Sequence, residues 1–292
     1  MTLLVRDEAD IVRTNIDYHL SQGVSHIFAT DNLSTDGTTE ILRDYERQGV
    51  LSYYRENDDT HDQATWVTRM ARLAHSQFPS SLVFHVDTDE FWWPLQGTLA
   101  AALDQAFGNF EGIGEVPRVN YVGPNLNVTS DSFLERCHFR QTRSVNVLGS
   151  PLPGKVCHRA CQDIRIDNGS HKATRPNGDN EPLRIDTVEV LHFPNRSIKQ
   201  FIEKTRRGAS AVRNNKTLGG GVCSTWLSMD RALSAGSFET EFRHQFVTLS
   251  DIHAQLYSGE LVRCEKLSKY LERVQPSSIV NIDPQAIVPQ PA

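Results

Sequence analysis

Three carboxylates fall within four residues in Asp87-Thr88-Asp89-Glu90, and an almost wholly apolar run, Leu82-Val83-Phe84-His85-Val86, leads into them. Carboxylates packed that closely repel one another unless a cation neutralises them or water solvates them. Hard divalent ions such as Mg²⁺ and Mn²⁺ take carboxylate oxygens together with the oxygens of a bound diphosphate. With one residue between them, Asp87 and Asp89 can approach one ion, or one ion and one ribose, from a single turn. The plainer alternative is an acidic loop capping the next helix at its positive end.

Two further polar clusters have the same kind of placement. Asp31-Asn32-Leu33-Ser34-Thr35-Asp36-Gly37-Thr38 follows the apolar run Val24 to Thr30. It reads as a plain turn with a Ser or Thr cap, or as a polar pocket in which Asp31 accepts hydrogen bonds from a nucleoside. Arg6-Asp7-Glu8 follows Thr2 to Val5. It reads as the acidic start of a helix or as part of the same pocket.

The elements that must position these clusters alternate. Strands are expected at Thr2 to Val5, Val24 to Thr30, Val50 to Tyr54 and Ser81 to Val86, with helices at Ala9 to Gln22, Thr38 to Gln48 and Asp62 to Gln77. Val12, Ile16 and Leu20 recur at helical spacing, and Gly23 and Gly49 stand where helices stop. Such alternation implies a mostly parallel central sheet with helices on both faces, an α/β fold. A sheet of that kind binds ligands at the carboxyl ends of its strands, so the three clusters should share one edge. A helix is expected at Gln96 to Phe110, a strand at Val188 to His192 and a helix at Ser197 to Arg213. Beyond Cys223 the pattern is helical to about Arg273, ahead of a Pro- and Gln-rich tail. The expected organisation is one domain over 1–215 and a helical C-terminal region over 216–292.

Bulk properties exclude several classes. The 292 residues are 38% hydrophobic and 23% charged, as in a soluble globular chain rather than a disordered one. A net charge of -6 gives no support for a nucleic-acid partner. Five cysteines at irregular spacing suggest reduced thiols. Cys157-His158-Arg159-Ala160-Cys161 lacks the second ligand pair that a structural zinc site needs. Arg6-Asp7-Glu8 interrupts the apolar start too early for a secretion signal. The expectation is a cytoplasmic protein, with any peripheral membrane association made through partners.

Val5-Arg6-Asp7-Glu8-Ala9-Asp10-Ile11, Tyr18-His19, Gly23-Val24, the Asp31 to Thr38 turn and Asp87-Thr88-Asp89-Glu90-Phe91 together resemble glycosyltransferase family 2, in a branch resembling glycosyltransferase family 92. The resemblance covers residues 1–95 well and 150–210 loosely. It implies a GT-A fold and transfer of a sugar from a nucleoside diphosphate donor to a carbohydrate or other hydroxyl acceptor, with inversion. It implies Mn²⁺ or Mg²⁺ as cofactor, with Asp87-Thr88-Asp89 as the DXD motif. Arg6, Asp7, Glu8, Asp31 and Asp36 would line the nucleoside side. Asp87 would face ribose or metal, and Asp89 the metal. A later histidine often completes the metal site in this family; His192 is the choice, and His171 the alternative.

Lys155 and Arg159, and Lys204 and Arg207, could neutralise a diphosphate or could be solvated surface charge. Trp92-Trp93 could be an acceptor platform or core packing. Inversion needs a base for the acceptor's proton. Asp131 and Asp163 are the candidates, although neither lies in a motif. Two other classes remain open at this stage. A haloacid dehalogenase-type phosphatase also places Asp-x-Asp after a strand, but Glu90-Phe91-Trp92 departs from what it requires next. A non-catalytic carbohydrate-binding domain would be indifferent to metal and nucleotide.

Overall fold

The first strand shows how this chain divides its core. Leu3 and Val5 point to one face of the sheet and Thr2 and Leu4 to the other, because side chains alternate along a strand. Helices cover both faces, so both sets are shielded from water. The computed structural model describes residues 1–124, 133–146, 149–176, 181–216, 224–242 and 247–274.

In chain order the first part comprises β1 (Thr2–Val5), α1 (Val12–Ser21), β2 (Ile27–Asn32), α2 (Thr38–Arg47), β3 (Leu51–Glu56), α3 (Gln63–Gln77), β4 (Leu82–Asp87), β5 (Glu90–Pro94) and α4 (Leu99–Phe107). The middle comprises β6 (Ile113–Val116), β7 (Arg118–Val122), α5 (Phe133–Arg136), β8 (Phe139–Gln141), β9 (Lys155–Arg159), β10 (Arg165–Ile166), β11 (Ala173–Thr174), β12 (Leu183–Arg184) and β13 (Val188–His192). The last part comprises α6 (Ile198–Asn214), α7 (Ser224–Ala235), α8 (Phe238–Glu241), α9 (Leu249–Ser258), β14 (Leu261–Arg263) and α10 (Lys266–Leu271).

The main sheet has the order β12-β6-β9-β4-β1-β2-β3. The pairs β4-β1, β1-β2 and β2-β3 are parallel, as the alternation of elements requires. On one face α1, α2 and α4 pack Ile16, Leu42 and Leu103 against Leu3, Ala29 and Val86. On the other, α3 packs Val67, Met70 and Ala71 against Phe28, Val83 and Val156. A second sheet, β14-β8-β7-β13-β5, stands beyond the carboxyl end of β4. The α/β class and mostly parallel sheet are as expected, and no described helix is long and apolar enough to cross a membrane.

Four local expectations are corrected. α1 starts at Val12 rather than Ala9, because residues 8–11 form a turn closed by the Ile11 N–H donating to the Glu8 carbonyl at 3.1 Å, and Ile11 itself takes a non-helical φ of -131°. Trp92-Trp93 belongs to the added strand β5; Trp92 is wholly buried, and Trp93 stacks on Tyr18 at 6.0 Å and meets Tyr270. Neither ring is an open platform for an acceptor. β9, where no strand was expected, runs antiparallel to both β4 and β6 within the mostly parallel sheet. The region after Cys223 is not all helical, since β14 pairs with β8. The Pro- and Gln-rich tail lies outside the described residues.

Two core histidines carry a pH signature. His19 Nδ1 donates to the Asn15 carbonyl at 2.8 Å, which leaves Nε2 to accept from the Trp92 backbone N–H at 3.3 Å. Burial pushes His19 down to about 3 and His158 down to about 4. Both values lie below the unfolded value of 6.5. The unfolded chain therefore binds protons that the native chain refuses. The histidines' contribution to stability is complete above about pH 6.5 and declines as pH falls towards 4. The urea midpoint should be lower near pH 5 than near pH 7, with proton uptake on unfolding; an unchanged midpoint would contradict this.

Candidate active site

Register brings the clusters level. Val5 lies opposite Asp31 across β1 and β2, and Leu4 opposite Asp87 across β1 and β4. The carboxyl ends of three parallel strands therefore open on one edge, where such sheets bind ligands. The antiparallel strand β9 pairs Arg159 with Leu82, so its first residue, Lys155, arrives beside the carboxyl end of β4. β13 pairs His192 with Glu90 of β5, and the Phe193 N–H donates to the Asp89 carbonyl at 2.8 Å.

Each carboxylate of the motif has a cation from another element. Lys155, wholly buried, reaches Asp87 Oδ2 and Glu90 Oε2, each at 2.8 Å, and donates to the Gly169 carbonyl at 2.9 Å. Two of its N–H groups make hydrogen bonds, to Asp87 and to the Gly169 carbonyl, and Glu90 is held as an ion pair. Gln63 Nε2, at the start of α3, donates to Asp87 Oδ1 at 3.1 Å. Arg118 Nη1 holds Glu90 Oε1 at 3.0 Å. Lys204, on α6, meets Asp89 Oδ2 at 2.6 Å and stands 3.9 Å from Glu8 Oε1. Arg196, just before the Ser197 cap of α6, binds Glu8 and also Asp10 at 2.9 Å. Arg207, one turn after Lys204, meets Asp7 Oδ2 at 3.2 Å.

These pairings set the protonation states. Burial pushes the Asp87 and Asp89 carboxyls up, but the ammonium groups of Lys155 and Lys204 respectively overcome it and hold both below the usual carboxylate range. Burial prevails at Glu90 and Glu8, which are raised despite Lys155 and Arg196 respectively. The motif aspartates are therefore ionised at neutral pH.

The histidine chosen from sequence stands beside Asp89, with its Nε2 4.0 Å from Asp89 Oδ1. Its tautomer follows from its neighbours. Asn120 Nδ2 donates to the Val145 carbonyl at 3.0 Å, so Asn120 Oδ1 is an acceptor. His192 Nδ1 lies 2.8 Å from that oxygen and must carry the proton. Nε2 then presents a lone pair to the carboxylate. Burial, reinforced by Arg118, pushes His192 down to about 3, so no proton on Nε2 relieves that opposition near neutrality. Two lone-pair donors at this separation can both reach a cation at about 2.1 Å, with the Asn120 carbonyl as the outer partner that orients the ring. Among the described residues no three His, Cys, Asp or Glu side chains form a metal cage. A magnesium-type ion held largely by substrate phosphates needs only one or two protein groups. The residues present fit such an ion, with Asp87 outside the pair because Gln63 and Lys155 hold its oxygens.

Other predicted residues take different places. Asp31 is wholly buried and accepts from Ser34 N–H, Thr39 and Tyr53 hydroxyls and Arg55, so protein donors already fill it. Asp36 accepts from Thr38 and from the Ala9 N–H, tying the turn to the end of β1. Asp7 accepts from Thr35 N–H at 2.7 Å. Arg6, part-exposed, pairs with Asp59 at 2.6 Å. His171 donates through Nδ1 to the Gly154 carbonyl at 2.8 Å, near Lys155 and Arg118 rather than beside Asp89. Arg159 and Asp163 lie past the opposite end of β4, where Arg159 donates to the Gly108 carbonyl and Asp163 is exposed. Neither reaches the acidic edge. Asp131 lies outside the described residues. Sequence reasoning missed Gln63, Arg118, Asn120 and Arg196. Only Arg196, directly before a Ser cap, had a local signal.

The sequence model of glycosyltransferase family 92 matches residues 2–148, half of the chain. The chain belongs to glycosyltransferase family 92. No curated protein matches it. Among solved structures, the family 92 chain is similar to residues 1–349 of S. aureus TarS in complex with UDP-GlcNAc, at 12% identity and a TM-score of 0.39, covering 86% of this chain and 76% of that one. It is also similar to the same TarS fragment with UDP, at 13% identity and a TM-score of 0.31 over 86% and 76%. HddC from Yersinia pseudotuberculosis gives 10% identity and a TM-score of 0.28 over 68% and 80%. Family membership makes this a glycosyltransferase and sets aside the phosphatase and non-catalytic readings.

The buried Lys155 is a sharp stability test. Lys155→Met leaves Glu90 and Asp87 without their shared cation and should cost about 3 kcal/mol in denaturant unfolding. Adding Glu90→Gln should restore at least about 1 kcal/mol, a coupling that independent sites would not show.

Proposed function

We propose that this family 92 glycosyltransferase moves a sugar from a nucleoside diphosphate donor to a hydroxyl acceptor with Mn²⁺ or Mg²⁺ bound at Asp89 and His192, and with inversion at the sugar. The observation that carries the reading is the His192 Nε2 lone pair held against Asp89 Oδ1 at 4.0 Å, with the tautomer fixed by Asn120. That opposition is relieved by a cation.

The chain's own residues then divide the work. Arg6 and Asp87, both part-exposed, face the donor. Asp31 and Asp36 act by shaping the turn from Asn32 to Thr38 beneath the nucleoside, rather than by touching it. Lys155 keeps Asp87 ionised and immobile. Lys204 and Arg207 bring positive charge from α6 to the place where the departing diphosphate gathers negative charge. When bound, the cation would act as a Lewis acid on that leaving group. The acceptor is a carbohydrate or another hydroxyl compound.

A thermal-shift panel of nucleoside diphosphates with and without Mn²⁺ tests this, because a ligand that binds only the native state raises its melting temperature. At least one nucleotide should give a shift that requires the metal. Asp89→Ala and His192→Ala should each abolish the metal-dependent part while remaining folded. Shifts from nucleotide that are indifferent to Mn²⁺ would contradict the metal assignment.

A further inference from the structure

The Asp89 corner already holds a cation of the protein's own. Lys204 Nζ is 2.6 Å from Asp89 Oδ2 and 3.9 Å from Glu8 Oε1. Its side chain keeps 29% exposure while that of Asp89 keeps 3%. The lysine is therefore more open to solvent, or to an arriving ligand, than the carboxylate it covers. It is not free to drift away. The helix that carries it is fixed on one side by Arg207 to Asp7 and by Arg196 to Glu8 and Asp10. On the other side the His61 N–H donates to the Ala211 carbonyl, and Asn214 donates to Asp59.

The charges at this corner do not suit a free divalent ion. Asp89, Glu8 and Asp10 supply three negative charges, and Lys204 and Arg196 supply two positive ones. At most one net negative charge remains for an ion carrying two positive charges. That ion would share the Asp89 carboxylate with an ammonium, and like charges on one carboxylate disfavour each other. A diphosphate changes the balance. Its oxygens can accept from Lys204 and ligate the ion at the same time, so both cations gain a partner.

We propose that Lys204 is a built-in counter-ion that makes divalent-cation binding conditional on the donor's diphosphate. Lys204 neutralises Asp89 when the cleft is empty, weakens binding of the bare ion, and turns to the phosphate oxygens when nucleotide and ion arrive together. The same residue thus keeps the buried Asp89 paired in the resting protein and couples the two ligands. Coupling of this kind is reciprocal: the factor by which nucleotide tightens the ion equals the factor by which the ion tightens nucleotide. The proposal rests on the Asp89 and His192 cation site above.

Isothermal titration of Mn²⁺ into the full chain tests it, alone and with saturating UDP or GDP, for the wild type, Lys204→Met, Lys204→Gln and Lys204→Arg. Both uncharged variants should bind Mn²⁺ alone about tenfold more tightly than the wild type, and the factor by which nucleotide tightens Mn²⁺ should fall about tenfold. Lys204→Arg, which keeps the charge, should stay close to the wild type. Mn²⁺ affinity and nucleotide coupling unchanged in both uncharged variants would overturn the counter-ion role and leave the cation site standing. Absence of Mn²⁺ binding to the folded wild type with either nucleotide, and to the uncharged variants without it, would overturn the cation site, and this proposal with it.

Discussion

Carboxylates from the segment after β1, the end of β4 and the start of β5 meet at one edge of this protein, and their mutual repulsion is the constraint around which the surrounding structure is arranged. Asp87, Asp89 and Glu90 cannot all stay ionised in a buried turn without compensating charge. Lys155 supplies it from within the sheet, bonded to Asp87, Glu90 and the Gly169 carbonyl. A wholly buried lysine held between two carboxylates and a carbonyl has no freedom to serve another ligand. Its role is to let an acidic motif exist in a packed environment. Lys204 plays a related part at Asp89, but from a helix at the rim and with some exposure, so its partner can change.

The antiparallel strand β9 is the topological expression of that constraint. A parallel strand entering next to β4 would begin at the far end of the sheet and leave the acidic edge without this cation. Running antiparallel, β9 begins where β4 ends. The second sheet serves the same edge from the other side. β13 places His192 against Glu90, and β7 carries Arg118 and Asn120 beneath it. Arg118 neutralises Glu90, and Asn120 fixes which histidine nitrogen faces Asp89. The site is thus assembled at the seam of two sheets, with α6 closing a third side.

The turn from Asp31 to Thr38 illustrates how a residue can matter to a site without touching a ligand. Asp31 spends its oxygens on Ser34, Thr39, Tyr53 and Arg55. Asp36 ties the same turn to Ala9. Both are short polar side chains suited to bonding their own neighbouring backbone. Their spacing resembles a binding motif because the loop they stabilise must keep one shape.

The sequence by itself determined the strand-helix alternation of the first ninety-five residues, the level edge of three acidic clusters and a helix at Ser197 to Arg213, found at Ile198–Asn214, because these follow from local periodicity and from the carboxyl-end rule for parallel strands. It placed His192 at the close of a short apolar strand, where the family resemblance made it the choice of metal ligand, and it left Lys155 and Lys204 between diphosphate and solvent. Tertiary structure alone decided their partners. Lys155 and Asp87 are 68 residues apart, and Lys204 and Asp89 are 115 apart. No periodicity reaches across such distances. Strand order, the reversed direction of β9 and the β5-β13 register had to be known first. Electrostatic partners at long range are fixed by topology, and topology is a property of the whole chain rather than of any window along it.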